Sequence, residues 1–161
     1  MNIPSDDMSE PPMPTAKVLF RVPEDDGSYN VETLWAYDLG YDRYRLDNSP
    51  FYAYSVSVGD VVLAPLDPKE GRPTFQEVLE KSGNRTVRVI LDPPLATGNV
   101  SDELVQELLS LGCLYEGANP GYLCVIIPPD SDFSRVCELL TERDIQWEHA
   151  DPDYSELHPS V

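Results

Sequence analysis

The stretch Tyr122-Leu-Cys-Val-Ile-Ile127 is apolar at nearly every position. Successive side chains of a β-strand point to opposite faces of the sheet, so this stretch divides into two alternating sets. One set holds leucine, valine and isoleucine, and the other holds Tyr122, Cys124 and Ile126. A strand that is apolar on both faces is covered on both faces. We therefore expect this stretch to be an inner strand of a buried sheet.

The elements around this strand alternate between strand and helix patterns. Residues 86–91 (TVRVIL), 113–117 (CLYEG) and 145–150 (IQWEHA) have strand composition. Apolar residues at helical spacing predict helices at about 101–111 and 131–143. The resulting order, strand–helix–strand–strand–helix–strand, is that of a ferredoxin-like βαββαβ arrangement. Two helices would cover one face of the sheet, which leaves the other face for the N-terminal half or for a partner.

The N-terminal half of the chain has short apolar runs separated by glycine, proline and aspartate. Many short strands at close spacing are typical of a small β-barrel or sandwich. We predict an α+β chain, with a small SH3-like β-barrel module at 16–84 and the ferredoxin-like module at 85–151. The acidic, proline-rich residues 1–15 are predicted to be a disordered tail, and residues 152–161 a C-terminal tail.

Short motifs in the N-terminal half carry a resemblance to a known family. They are KVLFR at 17–21, ETLWA at 32–36, LDNSPF at 46–51, VGDVV at 58–62, SG at 82–83 and RT at 85–86. In this order and spacing the chain resembles a bacterial family described as domain of unknown function number 4265. The resemblance implies a small, soluble bacterial protein and supplies no catalytic motif from which a site residue could be carried over. For some such proteins it also implies a role as the immunity partner of a secreted antibacterial toxin.

The charge of the chain restricts its partners. There are 29 acidic and 11 basic residues, which give a formal net charge of -18. Such a surface repels nucleic-acid phosphates and anionic membranes and attracts a basic protein, although acidic surfaces also serve solubility alone. Lys81, Arg85 and Arg88 form one local basic cluster, which we expect to pair with the protein's own acids.

The sequence predicts a cytoplasmic protein. No apolar run approaches the roughly 20 residues that span a bilayer, and the polar N-terminus does not have the pattern of a signal peptide. The odd number of cysteines, without a CxxC pair, fits a reducing compartment.

The sequence contains no pattern of a catalytic, cofactor or metal site. The G-x-S-x-G, P-loop and G-x-G-x-x-G motifs are absent. His149 lies near several carboxylates, but their spacing matches no metal-binding motif, so we expect solvated residues there. Cys124 and Cys137 lie in apolar elements and are expected to be core residues. Cys113 lies at a helix-to-strand junction and is the one cysteine that the sequence does not place in an apolar element, so it is the candidate for an exposed thiol.

Two groups of residues are predicted to contact a partner. The first group lies among closely spaced tyrosines, because tyrosine and arginine are enriched at binding hot spots; strand-face packing is the competing explanation. The second group lies in the more acidic C-terminal part, where solvated helix and tail positions are the competing explanation. The predicted partner-binding residues are Tyr41, Arg43, Tyr44 and Arg45 in the first group, and Glu138, Glu142, Glu148, Asp151 and Asp153 in the second.

We interpret the chain as a non-catalytic binding protein. Its most concrete form is an immunity protein that neutralises a cognate bacterial toxin by occluding its active or substrate-binding surface. A first alternative is a small-ligand-binding or enzymatic module with a pocket between the two modules. A second alternative is an acidic nucleic-acid mimic or a regulatory subunit.

Overall fold

The computed structural model describes residues 13–159. The strands are β1 (Ala16–Pro23), β2 (Tyr29–Gly40), β3 (Arg43–Leu46), β4 (Val61–Leu63), β5 (Leu66–Asp67), β6 (Arg72–Pro73), β7 (Glu77–Glu80), β8 (Arg85–Ile90), β9 (Leu114–Asn119), β10 (Tyr122–Ile127) and β11 (Gln146–Asp151). The helices are α1 (Val100–Ser110), α2 (Phe133–Glu142) and α3 (Tyr154–Leu157). None of the helices in this range is long and apolar enough to cross a bilayer.

The first sheet contains five antiparallel strands in the order β1-β2-β3-β4-β7. Alternate residues of its strands point to one side and form a buried core, as the two-residue period of a strand requires. This core includes Val18, Phe20, Leu34, Leu46 and Val62. The short hairpin β5-β6 packs beside the free edge of β1, where Leu19 and Thr74 form a bridge. The edge of β1 is therefore partly covered.

The second sheet contains four antiparallel strands in the order β11-β8-β10-β9. One face packs against α1 and α2, and its core includes Val89, Val125 and Leu104. Asn99 caps α1 by accepting a hydrogen bond from the backbone N–H of Asp102, which satisfies one of the unpaired donors at a helix start.

The other face of the second sheet is covered by residues 47–60, which connect β3 to β4 and are called the bridging segment here. Cys124 donates a hydrogen bond to the carbonyl of Pro50, and Tyr122 donates one to the carbonyl of Phe51. The strand β10 is thus covered on both faces, as its apolar pattern predicts. The same segment also contributes Ala53 and Val56 to the core of the first sheet.

The fold class predicted from the sequence is wrong. The chain is mostly β, with 41% strand and 17% helix, in three sheets and with no closed barrel in the part that the structure describes. The first sheet stays open, with β1 and β7 as its two edge strands, and Ala53 and Val56 of the bridging segment pack against its core. A ferredoxin-like module at 85–151 is not evident either.

The two predicted tails differ in how much of them can be described. Residues 1–12 of the N-terminal tail lie outside the described residues, and 13–15 lead directly into β1. The C-terminal tail includes α3, which begins after the cap residue Asp153. Residues 160–161 lie outside the described range.

Candidate functional site

A row of polar side chains crosses the face of the second sheet that meets the bridging segment. Glu148, Arg88, Cys124 and Glu116 are direct neighbours on β11, β8, β10 and β9. Each of the four side chains forms a hydrogen bond with a residue of the bridging segment. The contact between the two sheets is therefore polar and directional.

Arg88 is the centre of this row and is only 1% exposed. Its guanidinium donates to the carbonyl oxygens of Pro50 at 3.1 Å and Ala53 at 2.8 Å, and to the Glu148 carboxylate at 2.9 Å. Its Cζ lies 4.5 Å from the centre of the Tyr54 ring, within the range of a cation–π interaction. A buried charge is tolerated only when it is paired in this way.

The bridging segment is held from the opposite side by Glu32 of β2. The Glu32 carboxylate accepts hydrogen bonds from the backbone N–H groups of Phe51 at 2.6 Å, Tyr52 at 3.2 Å and Ala53 at 2.9 Å. The segment is thus clamped between a carboxylate that binds its N–H groups and a guanidinium that binds its carbonyls. Both backbone donors and acceptors are satisfied without regular secondary structure.

A second buried network lies beside the first. Asp60 accepts from the backbone N–H groups of Ser57 and Ser82, at 2.9 and 2.8 Å, and from Lys81 at 3.1 Å. Lys81 also pairs with Asp151 at 3.0 Å, and Asp151 accepts from the Ser57 hydroxyl at 2.6 Å. Burial raises the pKa of Asp151. Because Ser57 is fully buried, this arrangement joins structural elements and does not present a nucleophile to solvent.

The basic cluster and the cysteines can now be placed. Lys81 and Arg88 pair with the protein's own acids, as the sequence analysis predicts, whereas Arg85 lies over the Phe133 ring. Cys113 and Cys124 are buried, whereas Cys137, expected in the core, is only partly buried and lines a groove against α2. Burial raises the pKa of Cys113 and Cys137 to about 11 and that of Cys124 to about 12. These thiols stay protonated near neutral pH and are poor nucleophiles.

Three grooves open around Trp147 of the edge strand β11. The inter-sheet groove, about 630 Å³, lies between β8, β10 and β11, with walls that include Ile90 and Tyr122. The tyrosine groove, about 630 Å³, is lined by Tyr54, Trp147, Glu148, His149, Asp153, Tyr154 and Ser155. The helix groove, about 580 Å³, lies against α2 and includes Glu138 and Glu142. Because Trp147 lines all three, they form one continuous region, called the groove surface here.

The groove surface is aromatic and acidic. Trp147 contacts His149 edge to face, with ring centres 4.7 Å apart, and Tyr154 stacks near His158 at 4.3 Å. Among the residues that line the three grooves, Arg88 is the one lysine or arginine, and it is buried and paired. Burial lowers the pKa of His149, so its ring is uncharged at neutral pH.

Residues 32–150 match the family model described as Domain of unknown function (DUF4265). The match covers well over half of the chain. This chain belongs to the DUF4265 family. The matched residues begin within β2 and end in β11, so the DUF4265 region includes the second sheet, the bridging segment, Trp147 and the first sheet without β1. It extends beyond most of the motifs that carried the resemblance, whereas the KVLFR motif at 17–21 lies outside it.

One solved structure gives an independent comparison for this DUF4265 protein. A hypothetical protein from Neisseria gonorrhoeae is similar to it, with a TM-score of 0.72 and 17% sequence identity. The similarity covers 87% of this chain and 96% of that one. At this identity it shows a shared fold alone. No curated protein matches the chain.

The first predicted group of the DUF4265 chain lies around the β2-β3 hairpin. Tyr41 is 92% exposed, and both Tyr41 and Asp42 have positive φ, as a two-residue type I′ turn requires. Arg43 donates to carbonyls of the same turn, and Arg45 lies over the Tyr37 ring. Tyr44 is buried in the core of the first sheet and does not present its ring to a partner.

The second predicted group is divided between surface and interior. Glu138 and Glu142 are exposed on α2, where both pair with Arg135. Glu148 and Asp153 line the tyrosine groove, although each also has an internal role. Asp151 is 2% exposed and belongs to the Lys81 network. The first group surrounds the hairpin at the start of β3. Glu148 and Asp151 of the second group instead contact the bridging segment, which begins at the other end of β3. The structure therefore does not join the two predicted groups into one site.

Sequence reasoning identified the carboxylates of the groove surface but missed its aromatic residues. Trp147 and His149 alternate with Glu148 in the IQWEHA run, and Tyr154 follows shortly after. An aromatic residue on every second position of a terminal strand is the signal that could have indicated an aromatic surface. The three grooves meet at Trp147 because of contacts between distant parts of the chain. No local sequence pattern contains those contacts.

The Glu116 carboxylate gives a pH-dependent prediction. Burial, together with the nearby charge of Asp47, raises its pKa, while the Ser49 backbone N–H opposes this shift. A raised pKa in the folded state means that ionised Glu116 opposes folding as pH rises through that pKa. Glu116→Gln keeps the acceptor and removes the charge. We expect the Gln variant to melt at a higher temperature than the parent at pH 7, and the difference to shrink below pH 5.

Thermal melts of both proteins across this pH range measure the effect, with the exposed Glu80→Gln on β7 as the control. That control should show no comparable pH trend. If Glu116→Gln is less stable than the parent at neutral pH, the negative charge itself is needed to hold Ser49.

Proposed function

We propose that this DUF4265 protein is a non-catalytic binding protein that holds a basic partner protein on its groove surface. The observation that carries the proposal is the composition of that surface. Its walls combine aromatic rings with carboxylates, and its one guanidinium, that of Arg88, is already neutralised by Glu148. Aromatic anchors supply contact area that fixes the register of a partner, and carboxylates attract its cations.

A more specific form of the proposal names the class of partner and the cellular compartment. A toxin domain with a basic active or substrate-binding surface is the partner class that fits both the family resemblance and the net charge of -18. Occlusion of that surface in the cytoplasm would make the chain an immunity protein. Binding of this kind requires no catalytic group in the chain, which accords with the raised pKa values of its buried thiols.

The proposal is tested on the kinetics of a captured partner. The tagged full chain is used to capture partners from its native host, and the products of neighbouring genes are assayed individually for binding. Neutralising the exposed pair Glu138→Gln and Glu142→Gln should lower the on-rate by roughly 3- to 10-fold at low salt and reduce its salt dependence. The matched control is Glu77→Gln with Glu80→Gln, which removes the same charge from the edge strand of the first sheet.

The outcome separates the binding proposal from the immunity form. An on-rate that responds equally to the two double variants would show that net charge, and not the groove surface, governs association. If the groove surface governs binding but expression of the chain protects cells against no neighbouring toxin-like protein, the immunity form is wrong.

A second candidate function rests on the inter-sheet groove. Its volume of about 630 Å³ lies within the range of small-molecule sites, and it is lined by residues of β8, β10 and β11 of the second sheet and by the turn before β10. Ile90, Tyr122 and Trp147 provide apolar walls, and Gln146 and Asn119 provide amides that could orient a polar ligand. A ligand at this position should raise the melting temperature of the parent and not that of an Ile90→Asp variant.

A further inference from the structure

We propose that the tyrosine groove binds an alkylammonium group, the side chain of a lysine, between the rings of Tyr54, Trp147 and Tyr154 and the carboxylates of Glu148 and Asp153. This inference rests on the proposed function, because the lysine belongs to the basic partner. It adds the chemistry of the contact, since an aromatic site with nearby carboxylates recognises a cation, whereas an aromatic site alone would equally accept an apolar side chain.

The aromatic walls have faces available to a cation. Tyr154 is 65% exposed and Tyr54 is exposed, while Trp147 is half-buried and forms a T-shaped contact with His149. Tyr54 already has the Arg88 guanidinium over its ring, with Cζ 4.5 Å from the ring centre. The groove thus contains one cation–π contact within the fold and has room for a second cation from outside.

The carboxylates are held in place before any ligand arrives. Glu148 accepts from Arg88 and, at 2.7 Å, from the Tyr54 hydroxyl. Asp153 accepts from the backbone N–H of Glu156 at 2.8 Å and from the Ser155 hydroxyl at 2.7 Å. Groups that are already fixed lose little conformational freedom when a ligand binds.

The charge balance of the groove favours a cation. The charge of Glu148 is offset by Arg88, whereas Asp153 and the neighbouring Glu156 have no ion-pair partner among residues 13–159. His149 does not oppose this balance, because burial lowers its pKa and leaves the ring neutral. An ammonium group in the groove would therefore meet uncompensated negative charge as well as the rings.

The probe is tetramethylammonium chloride, titrated into the full chain. The chain contains two tryptophans, so Trp35→Phe leaves Trp147 as the single fluorescent tryptophan. We expect a saturable change in Trp147 fluorescence with tetramethylammonium and none with sodium chloride at equal ionic strength. Neopentyl alcohol, which has a similar branched apolar body, a hydroxyl group and no charge, should bind far more weakly.

Variants assign the binding to this groove. Tyr154→Ala should weaken tetramethylammonium binding roughly fivefold, as expected for the loss of one aromatic wall. Tyr115→Ala removes an exposed tyrosine from β9, at the opposite edge of the second sheet from β11, and should leave tetramethylammonium binding unchanged. Absence of saturation, equal binding of neopentyl alcohol, or indifference to Tyr154→Ala would each overturn the inference.

The readouts keep this inference separate from the proposed function. If tetramethylammonium does not bind while the Glu138→Gln and Glu142→Gln pair still slows association of the partner, the groove surface binds its partner without an ammonium contact in the tyrosine groove. If tetramethylammonium binds as expected but the pair has no effect on association, the tyrosine groove recognises cations and the wider proposal fails.

Discussion

Replacing Arg88 with methionine is expected to lower the free energy of unfolding by about 3–5 kcal/mol. Methionine has a similar length but no hydrogen-bond donor, so the carbonyls of Pro50 and Ala53 lose their partners in a buried position. Glu148 loses its ion pair at the same time, although its partial exposure allows water to replace part of that interaction. Urea denaturation followed by circular dichroism measures the change.

Arg135→Met on α2 is the matched control for this experiment. Arg135 also pairs with two carboxylates, Glu138 and Glu142, but all three side chains are exposed. Exposed pairs contribute about 0–1 kcal/mol, so the control should remain close to the parent. Equal effects of the two substitutions would show that Arg88 does not hold the bridging segment against the second sheet.

Replacing Ile126 with aspartate is expected to prevent stable folding, with a loss above about 5 kcal/mol. Ile126 is 5% exposed and lies on the sheet face that the bridging segment covers. The substitution removes a packed side chain and places a carboxylate in a buried position beside Thr86 of β8. The expected result is the absence of a cooperative thermal transition and of dispersed amide signals in an NMR spectrum.

Its control is the neighbouring strand residue on the same face. Leu114 of β9 pairs directly with Ile126 but is 58% exposed, because it lies on the edge strand. Leu114→Asp should therefore change stability by only about 0.5 kcal/mol. A cooperative melt of Ile126→Asp near the parent's transition would mean that this face of β10 is open to solvent.

The residues of β10 show what local patterns can predict. Both of its alternating sets are apolar, and burial on two faces follows from that fact without any knowledge of what lies opposite. The helices at 101–111 and 131–143 are likewise close to α1 and α2, since amphipathic spacing is a local property. Lys81 and Arg88 pair with internal acids because a cation in so acidic a chain has many partners within reach.

The bridging segment shows where local patterns fail. The run YRLDNSPFYAYSVSV predicts two short strands, but after β3 the chain has no regular structure until β4. Its main chain at residues 50–53 pairs with Glu32 and Arg88 instead of a neighbouring strand. The same distant contacts bury Asp151, which reads as a solvated acid from its neighbours in the chain. Contacts between residues far apart in the chain produce no periodic pattern in the sequence. The barrel prediction was wrong because it used periodic patterns alone.

The attachment of the bridging segment through its main chain has an evolutionary consequence. Arg88 and Glu32 bind carbonyl and N–H groups, which every residue supplies alike, apart from the missing N–H of proline. The identity of the exposed side chain at position 52 is therefore free to change while the joint between the sheets persists, whereas Tyr54 also donates to Glu148 and lies under the Arg88 guanidinium. Relatives that retain this clamp can vary position 52, beside Tyr122 of the inter-sheet groove, and so acquire new binding preferences without rebuilding the scaffold.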